Sequence, residues 1–101
     1  MSRQTRRHRV RWTRLALADL RSAYEYLAAR NPEAAEEFLA RIRGAVRKLR
    51  ELPNVGRVVP ERRARGYREI VAPPYRLVYA IAGRAVHVLR VWHGRRDPQD
   101  M

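Results

Sequence analysis

The residues best suited to chemistry lie in the last third of the chain. Arg68, Arg76, His93, Arg95 and Arg96, with the phenols of Tyr67, Tyr75 and Tyr79, fall in a stretch where apolar and polar side chains alternate. Arginines on adjacent strands can grip a phosphate in two-pronged contacts and stabilise charge developing on it. A histidine at a strand end can move a proton near neutral pH. Aromatic rings set among arginines can stack nucleobases. Each residue also has a plainer reading. Tyr75 and Tyr79 share one strand face and suit a core, Arg68 and Arg76 can pair with Glu69 and Asp97, and His93 can be a hydrogen-bonding surface residue.

Other chemistries lack their residues. The chain has no cysteine, which removes disulfides, thiolate catalysis and Cys-ligated zinc. His8, His87 and His93 are not spaced as a metal site, and Ser2 and Ser22, the only serines, are not placed for acyl transfer. No phosphate-binding glycine loop is present, and no cofactor is expected. What dominates is charge: 23 Lys+Arg against 10 Asp+Glu, a formal net charge of +13, with Lys48 the sole lysine. That excess on a small domain implies a polyanionic partner, whether nucleic acid, ribosome or acidic protein. It sits at the two ends of the chain, while residues 13–52 are nearly balanced, as solvated helix faces are.

The elements that must position these residues follow from periodicity. The 101 residues form one domain with a single modest core. Residues 1–7 read as a basic flexible arm. His8 to Trp12 alternates and predicts a short strand, with Val10 and Trp12 inward. Thr13 suits an N-cap. Arg14 to Arg30 predicts a helix with an apolar stripe of Ala16, Leu20, Ala23, Tyr24 and Leu27, leaving Asp19 mostly outside it. Asn31-Pro32 breaks the chain and restarts it as a second helix, since proline suits the first helical turn. Its stripe is Ala35, Phe38, Leu39, Ile42, Ala45, Val46, Leu49 and Leu52, and the short link makes the pair a hairpin. Gly44 within it costs about 1 kcal/mol relative to alanine and suggests a close approach of the first helix.

Leu52-Pro53 ends that helix, and 54–66 reads as a loop with a basic cluster at Arg57, Arg62, Arg63 and Arg65. Three sequential strands follow, Tyr67–Val71, Tyr75–Ile81 and Ala85–Trp92. Pro73-Pro74 interrupts the first pair and Gly83 turns the second. The expected architecture is α+β, two layers in the order β-α-α-β-β-β, with the helical hairpin packed on one face of an antiparallel-dominated sheet. The opposite face is expected to be partly open, with the arginines pointing to it. No apolar run approaches the roughly 18 residues needed to span a bilayer, and the basic N-terminus lacks the apolar stretch of a signal peptide. The expectation is a cytoplasmic protein without membrane contact.

Six segments, taken together and in order, resemble the RelE/ParE superfamily, the toxins of bacterial type II toxin–antitoxin modules, often labelled plasmid-stabilisation proteins. They are Val10-Arg11-Trp12-Thr13 with Ala18-Asp19-Leu20; Asn31-Pro32-Glu33-Ala34-Ala35 with Phe38; Leu52-Pro53 with Gly56-Arg57 and Pro60; Tyr67-Arg68-Glu69; Tyr75-Arg76-Leu77-Val78-Tyr79; and Val91-Trp92-His93-Gly94-Arg95-Arg96-Asp97. The resemblance implies the β-α-α-β-β-β layout and a growth-arresting activity with two branches. The RelE-like branch is a ribosome-dependent mRNA endoribonuclease, which would give Arg76, His93 and Arg96 catalytic roles. Yet that branch's lysines and terminal tyrosine have no counterpart here, and His93 would have to substitute as base. The ParE-like branch poisons DNA gyrase without nuclease residues, and the helix start, the Gly56-Arg57 loop and the ending fit it better. On either branch Arg68, Arg76, Arg95 and Arg96 would bind the target or its phosphates. An acidic cognate antitoxin is implied, wrapping the toxin against Arg57, Arg62, Arg63, Arg65 and Arg68. A non-toxic basic nucleic-acid-binding module is the remaining alternative, because fold does not fix function.

Overall fold

Helix boundaries are set by side chains that hydrogen-bond the backbone ends. The computed structural model describes residues 7–60 and 65–94. Strand β1 (Arg9–Trp12) leads directly into α1 (Arg14–Arg30). Thr13 caps α1: its Oγ1 accepts from the Ala16 amide at 3.1 Å and donates to the Val88 carbonyl at 3.0 Å. One hydroxyl thereby fixes both the helix start and its place against the sheet. Asn31 serves two helices. Its amide closes α1 on Leu27 O at 2.7 Å, and its Oδ1 accepts from the Glu33 and Ala34 amides opening α2 (Pro32–Glu51). The single linking residue turns the chain back, and Tyr24 Oη donates across the hairpin to Glu36 Oε2 at 3.1 Å.

The remaining elements are β2 (Arg57–Val58), β3 (Arg68–Ala72), β4 (Tyr75–Ala82) and β5 (Ala85–His93). They form one sheet in the order β1-β5-β4-β3-β2, antiparallel except where β1 runs parallel to β5. This is the expected α+β layout with one addition, β2, which is too short for alternation to show within the predicted loop. Gly83, at φ +61, makes the two-residue turn between β4 and β5, a position where glycine carries no Cβ penalty. No helix among the described residues is long and apolar enough to cross a membrane.

The core lies between sheet and helices. Phe38, Ile42, Ala45 and Leu49 of α2 and Ala16 and Ala23 of α1 pack on Leu77, Tyr79, Val86, Val88 and Val91. The small α1 residues let that helix approach the sheet closely. A bulge in β5 explains why that strand reads as apolar on both faces. Val78 pairs with Arg90 but Tyr79 pairs with Val88, so Leu89 is left over and the side-chain parity shifts by one. Val86, Val88 and Val91 thus all reach the helix side, while Arg90 and Trp92 go to the other.

Tyr79 ties the post-helix loop to the core. Fully buried, its Oη donates to Pro53 O at 2.7 Å and accepts from the Gly56 amide at 2.9 Å. Gly56 is required there, because a Cβ would sit 2.5 Å from Glu69 O and 2.6 Å from the phenol oxygen. Burial raises the Tyr79 phenol pKa above its ordinary 10.0, with the Gly56 hydrogen bond opposing part of the rise. The folded pKa therefore exceeds the unfolded one, so this stabilisation is complete below pH 10.0 and fades as pH rises through the folded value. Tyr79→Phe leaves two polar groups without their partner and is expected to cost about 1–3 kcal/mol in urea unfolding. It should also abolish this part of the stability loss above pH 10.0.

Candidate functional site

Cross-strand register decides which candidate residues meet. Arg68 pairs with Tyr79, on the helix side of the sheet, whereas Arg76 pairs with Val71 and Trp92, on the far side. His93 pairs with Tyr75, again on the helix side. Arg76 and His93 therefore lie on neighbouring strands but on opposite faces, and Arg68 does not share a face with Arg76.

The far face is less open than expected. Glu69 is 3% exposed and Arg76 8% exposed. Arg76 Nη1 donates to Glu69 Oε1 at 2.9 Å, and Arg57 Nε donates to Glu69 Oε2 at 2.6 Å. One buried carboxylate thus holds two guanidiniums, one enclosed and one largely in solvent. The Trp92 ring lies next along the face, with the Arg76 and Arg90 guanidinium carbons 5.9 and 5.0 Å from its centroid. Arg90 continues to Asp19 of α1 through two hydrogen bonds of 2.8 and 3.0 Å. Asp19 Oδ2 also accepts from the Val91 amide at 2.9 Å. This bond forms where β5 has run past the end of β1 and its backbone needs another partner. The Asp19 hydrogen bonds raise the Arg90 pKa above the ordinary arginine value, against a smaller opposing effect of burial.

Arg68 turns towards the loop before β2, its Nη1 donating to Gly56 O at 2.7 Å and Asn54 O at 3.3 Å. Arg65 is exposed on the turn before β3. His93 is exposed and meets Tyr75 edge-on, centroids 5.5 Å apart, and Tyr75 in turn contacts Phe38 at 4.9 Å. Burial raises the Tyr75 phenol pKa. Asp19, Ser22, Tyr26, Tyr75, Trp92 and His93 line a cleft of about 260 Å³. The arm at residues 1–6 and the candidates Arg62, Arg63, Arg95 and Arg96 lie outside the described residues; Arg7 is exposed and pairs with Glu51 at 3.6 Å. No group of three or more His, Asp or Glu that could hold a metal occurs among the described residues.

Glu69, Trp92, and the Asp19–Arg90 pair were not singled out as site residues by sequence. A signal existed for the pair. Asp19 falls three residues after Ala16 and four before Ala23, the spacing of the buried face. Arg90 interrupts an otherwise apolar strand.

These features define a class: a small, strongly basic α+β domain in which a helical hairpin covers one sheet face and arginine pairs order the other. A chromosomal ParDE toxin–antitoxin system from P. aeruginosa contains a chain of this fold, with TM-score 0.71, 25% identity, and 87% of this chain and 97% of that one covered. The RelBE2 toxin–antitoxin complex from Mycobacterium tuberculosis contains another, with TM-score 0.53, 23% identity, and 91% and 97% covered. Toxin RelE2 of Caulobacter vibrioides is 36% identical over 88 residues, which is 86% of this chain and 96% of the relative. The family model described as the ParE toxin of the type II toxin–antitoxin system parDE matches residues 10–98. The chain belongs to this toxin family of the RelE/ParE superfamily.

The Glu69 pairing has a measurable consequence. Glu69→Ala strands a buried cation and is expected to lower stability by about 3–5 kcal/mol. Replacing both buried partners by apolar side chains, Glu69→Leu with Arg76→Met, should be close to neutral in the same urea titration.

Proposed function

We propose that this toxin arrests growth by inhibiting DNA gyrase in the cytoplasm and that an acidic cognate antitoxin restrains it. The observation that carries the gyrase reading is the placement of Arg76. A catalytic arginine must reach the phosphate whose charge it stabilises. Arg76 is instead enclosed and bonded to a buried carboxylate, with His93 on the opposite face of the sheet. A nuclease built on Arg76 and His93 would need both on one side. The match of nearly the whole chain to the ParE family model supports the same reading. The ribosome-dependent nuclease is the second reading, favoured by the similarity to a relative named Toxin RelE2. Under the gyrase reading Arg95 and Arg96 contact the target.

The antitoxin follows from the family's two-component organisation and from the net charge of +13, which suits an acidic partner that orders on binding. Arg57 and Arg65 are the loop arginines exposed to such a partner. Two parallel assays discriminate the targets. Purified toxin added to gyrase and supercoiled DNA should trap cleaved DNA complexes, whereas translating ribosomes carrying a reporter mRNA should show no toxin-dependent cuts. Cuts in the ribosomal A site without gyrase trapping would reverse the assignment. In cells lacking the antitoxin, Arg95→Ala and Arg96→Ala should each reduce toxicity more than Arg41→Ala, which lies on a helix face; equal losses from all three would count against a target site at the end of β5.

A further inference from the structure

We infer that the groove between α2 and the outer edge of β3 receives an extended acidic segment of the antitoxin, added to the sheet as a strand beside Ile70–Ala72. This rests on the toxin reading above for the existence of a protein antitoxin; the place and mode of docking come from three features of the groove.

Gly44 is the first. Its expected role was to admit α1, but a Cβ built there meets nothing nearer than Arg47 Nη2 at 3.9 Å. No neighbour in the chain makes use of the missing side chain. A glycine inside a helix costs about 1 kcal/mol relative to alanine, and nothing within the described structure offsets it. Gly44 instead lines a groove of about 540 Å³, with Ala45 beside it and Ile70, Val71 and Ala72 opposite. A bare patch of helix in such a place lets another backbone come close.

The second feature is the edge of β3. Strand β2 pairs with β3 only through Arg68 and Glu69. From Ile70 to Ala72 the outer edge has no strand partner among the described residues, and Val71 is 62% exposed beside it. An unpaired edge is a template for an added strand, whose main chain supplies affinity and whose alternate side chains supply specificity.

Charge is the third. Arg41, Arg47 and Lys48 flank Gly44 at three residues before and three and four after, so they lie one turn away on either side. Glu51 is the one acid on the rim. Arg41 Nη1 donates to Pro73 O at 2.7 Å, which holds a guanidinium at the end of β3 where the groove closes. Nucleic acid would also meet these cations. It would make no use of the apolar wall or the main-chain edge, whereas an acidic strand engages all three features.

Hydrogen exchange on the purified toxin, alone and bound to its cognate antitoxin, tests the placement. Exchange at Ile70, Val71 and Ala72 is expected to slow by at least about tenfold in the complex. Gly44→Phe, which fills the groove, should weaken antitoxin binding by at least about tenfold without lowering the thermal midpoint of the toxin alone. If that variant fails to fold, the exchange result on the unaltered protein decides. A tight complex with unchanged exchange at these residues overturns the groove while leaving the toxin–antitoxin reading intact. Failure to form any complex would remove that reading, and the groove's occupant with it. Equal slowing by a short DNA duplex in place of the antitoxin would show the groove to be a nucleic-acid site and overturn the proposal.

Discussion

The carboxylate of Glu69 sits 3% exposed between the guanidiniums of Arg57 and Arg76, and the far side of the sheet is arranged around it. Removing a carboxylate from water is costly, by several kcal/mol after relaxation, unless partners replace the lost solvation. Here the partners come from β2 and β4, the strands on either side of β3. The anion therefore fastens a two-residue strand that has little pairing of its own and encloses an arginine that would otherwise face a target. Trp92 extends the arrangement to Arg90, and Arg90 to Asp19, so the chain of contacts passes from β2 across the sheet to α1. In a chain of net charge +13 this arrangement also places carboxylates where guanidiniums would otherwise be buried without a counter-charge.

Much of the architecture was legible because its causes are local. The 3.6-residue stripes, Thr13 and Asn31 as caps, proline at the start of α2 and glycine in the last turn all act within a few residues of themselves. The two helices and three long strands fall where periodicity places them. What was not legible depends on pairing between distant residues. Arg68 and Arg76 each look outward along their own strands, yet register puts them on opposite faces. The bulge at Leu89 reverses parity within β5, so the alternation of that strand could not be followed through. Asp19 was set apart from the apolar stripe because it is charged, although its spacing belongs there. Gly44 was correctly marked as unusual and given the wrong neighbour. The open groove beside β3 depends on how little of that strand β2 covers, which no local pattern records.

These placements bear on what the basic residues are for. Arginines read from sequence as one phosphate-binding set divide by function in the fold: Arg57 and Arg76 neutralise a buried acid, Arg68 secures a loop, and Arg90 anchors a helix. The structural duties of these four leave the exposed cations of α2 and the ends of strands as the surfaces facing partners. A toxin that poisons a large enzyme needs a stable shape and a contact surface rather than a base and an acid held at bonding distance. The division of the arginines is consistent with that need.

The central claim is that Arg76 belongs to the fold and not to a reaction. Gyrase-dependent DNA cleavage by the Glu69→Leu/Arg76→Met double variant tests it most directly, because that variant removes the guanidinium without stranding a buried charge. Cleavage at the level of the unaltered toxin is the predicted result. A folded double variant that has lost all toxicity would contradict the account and return Arg76 to the active surface.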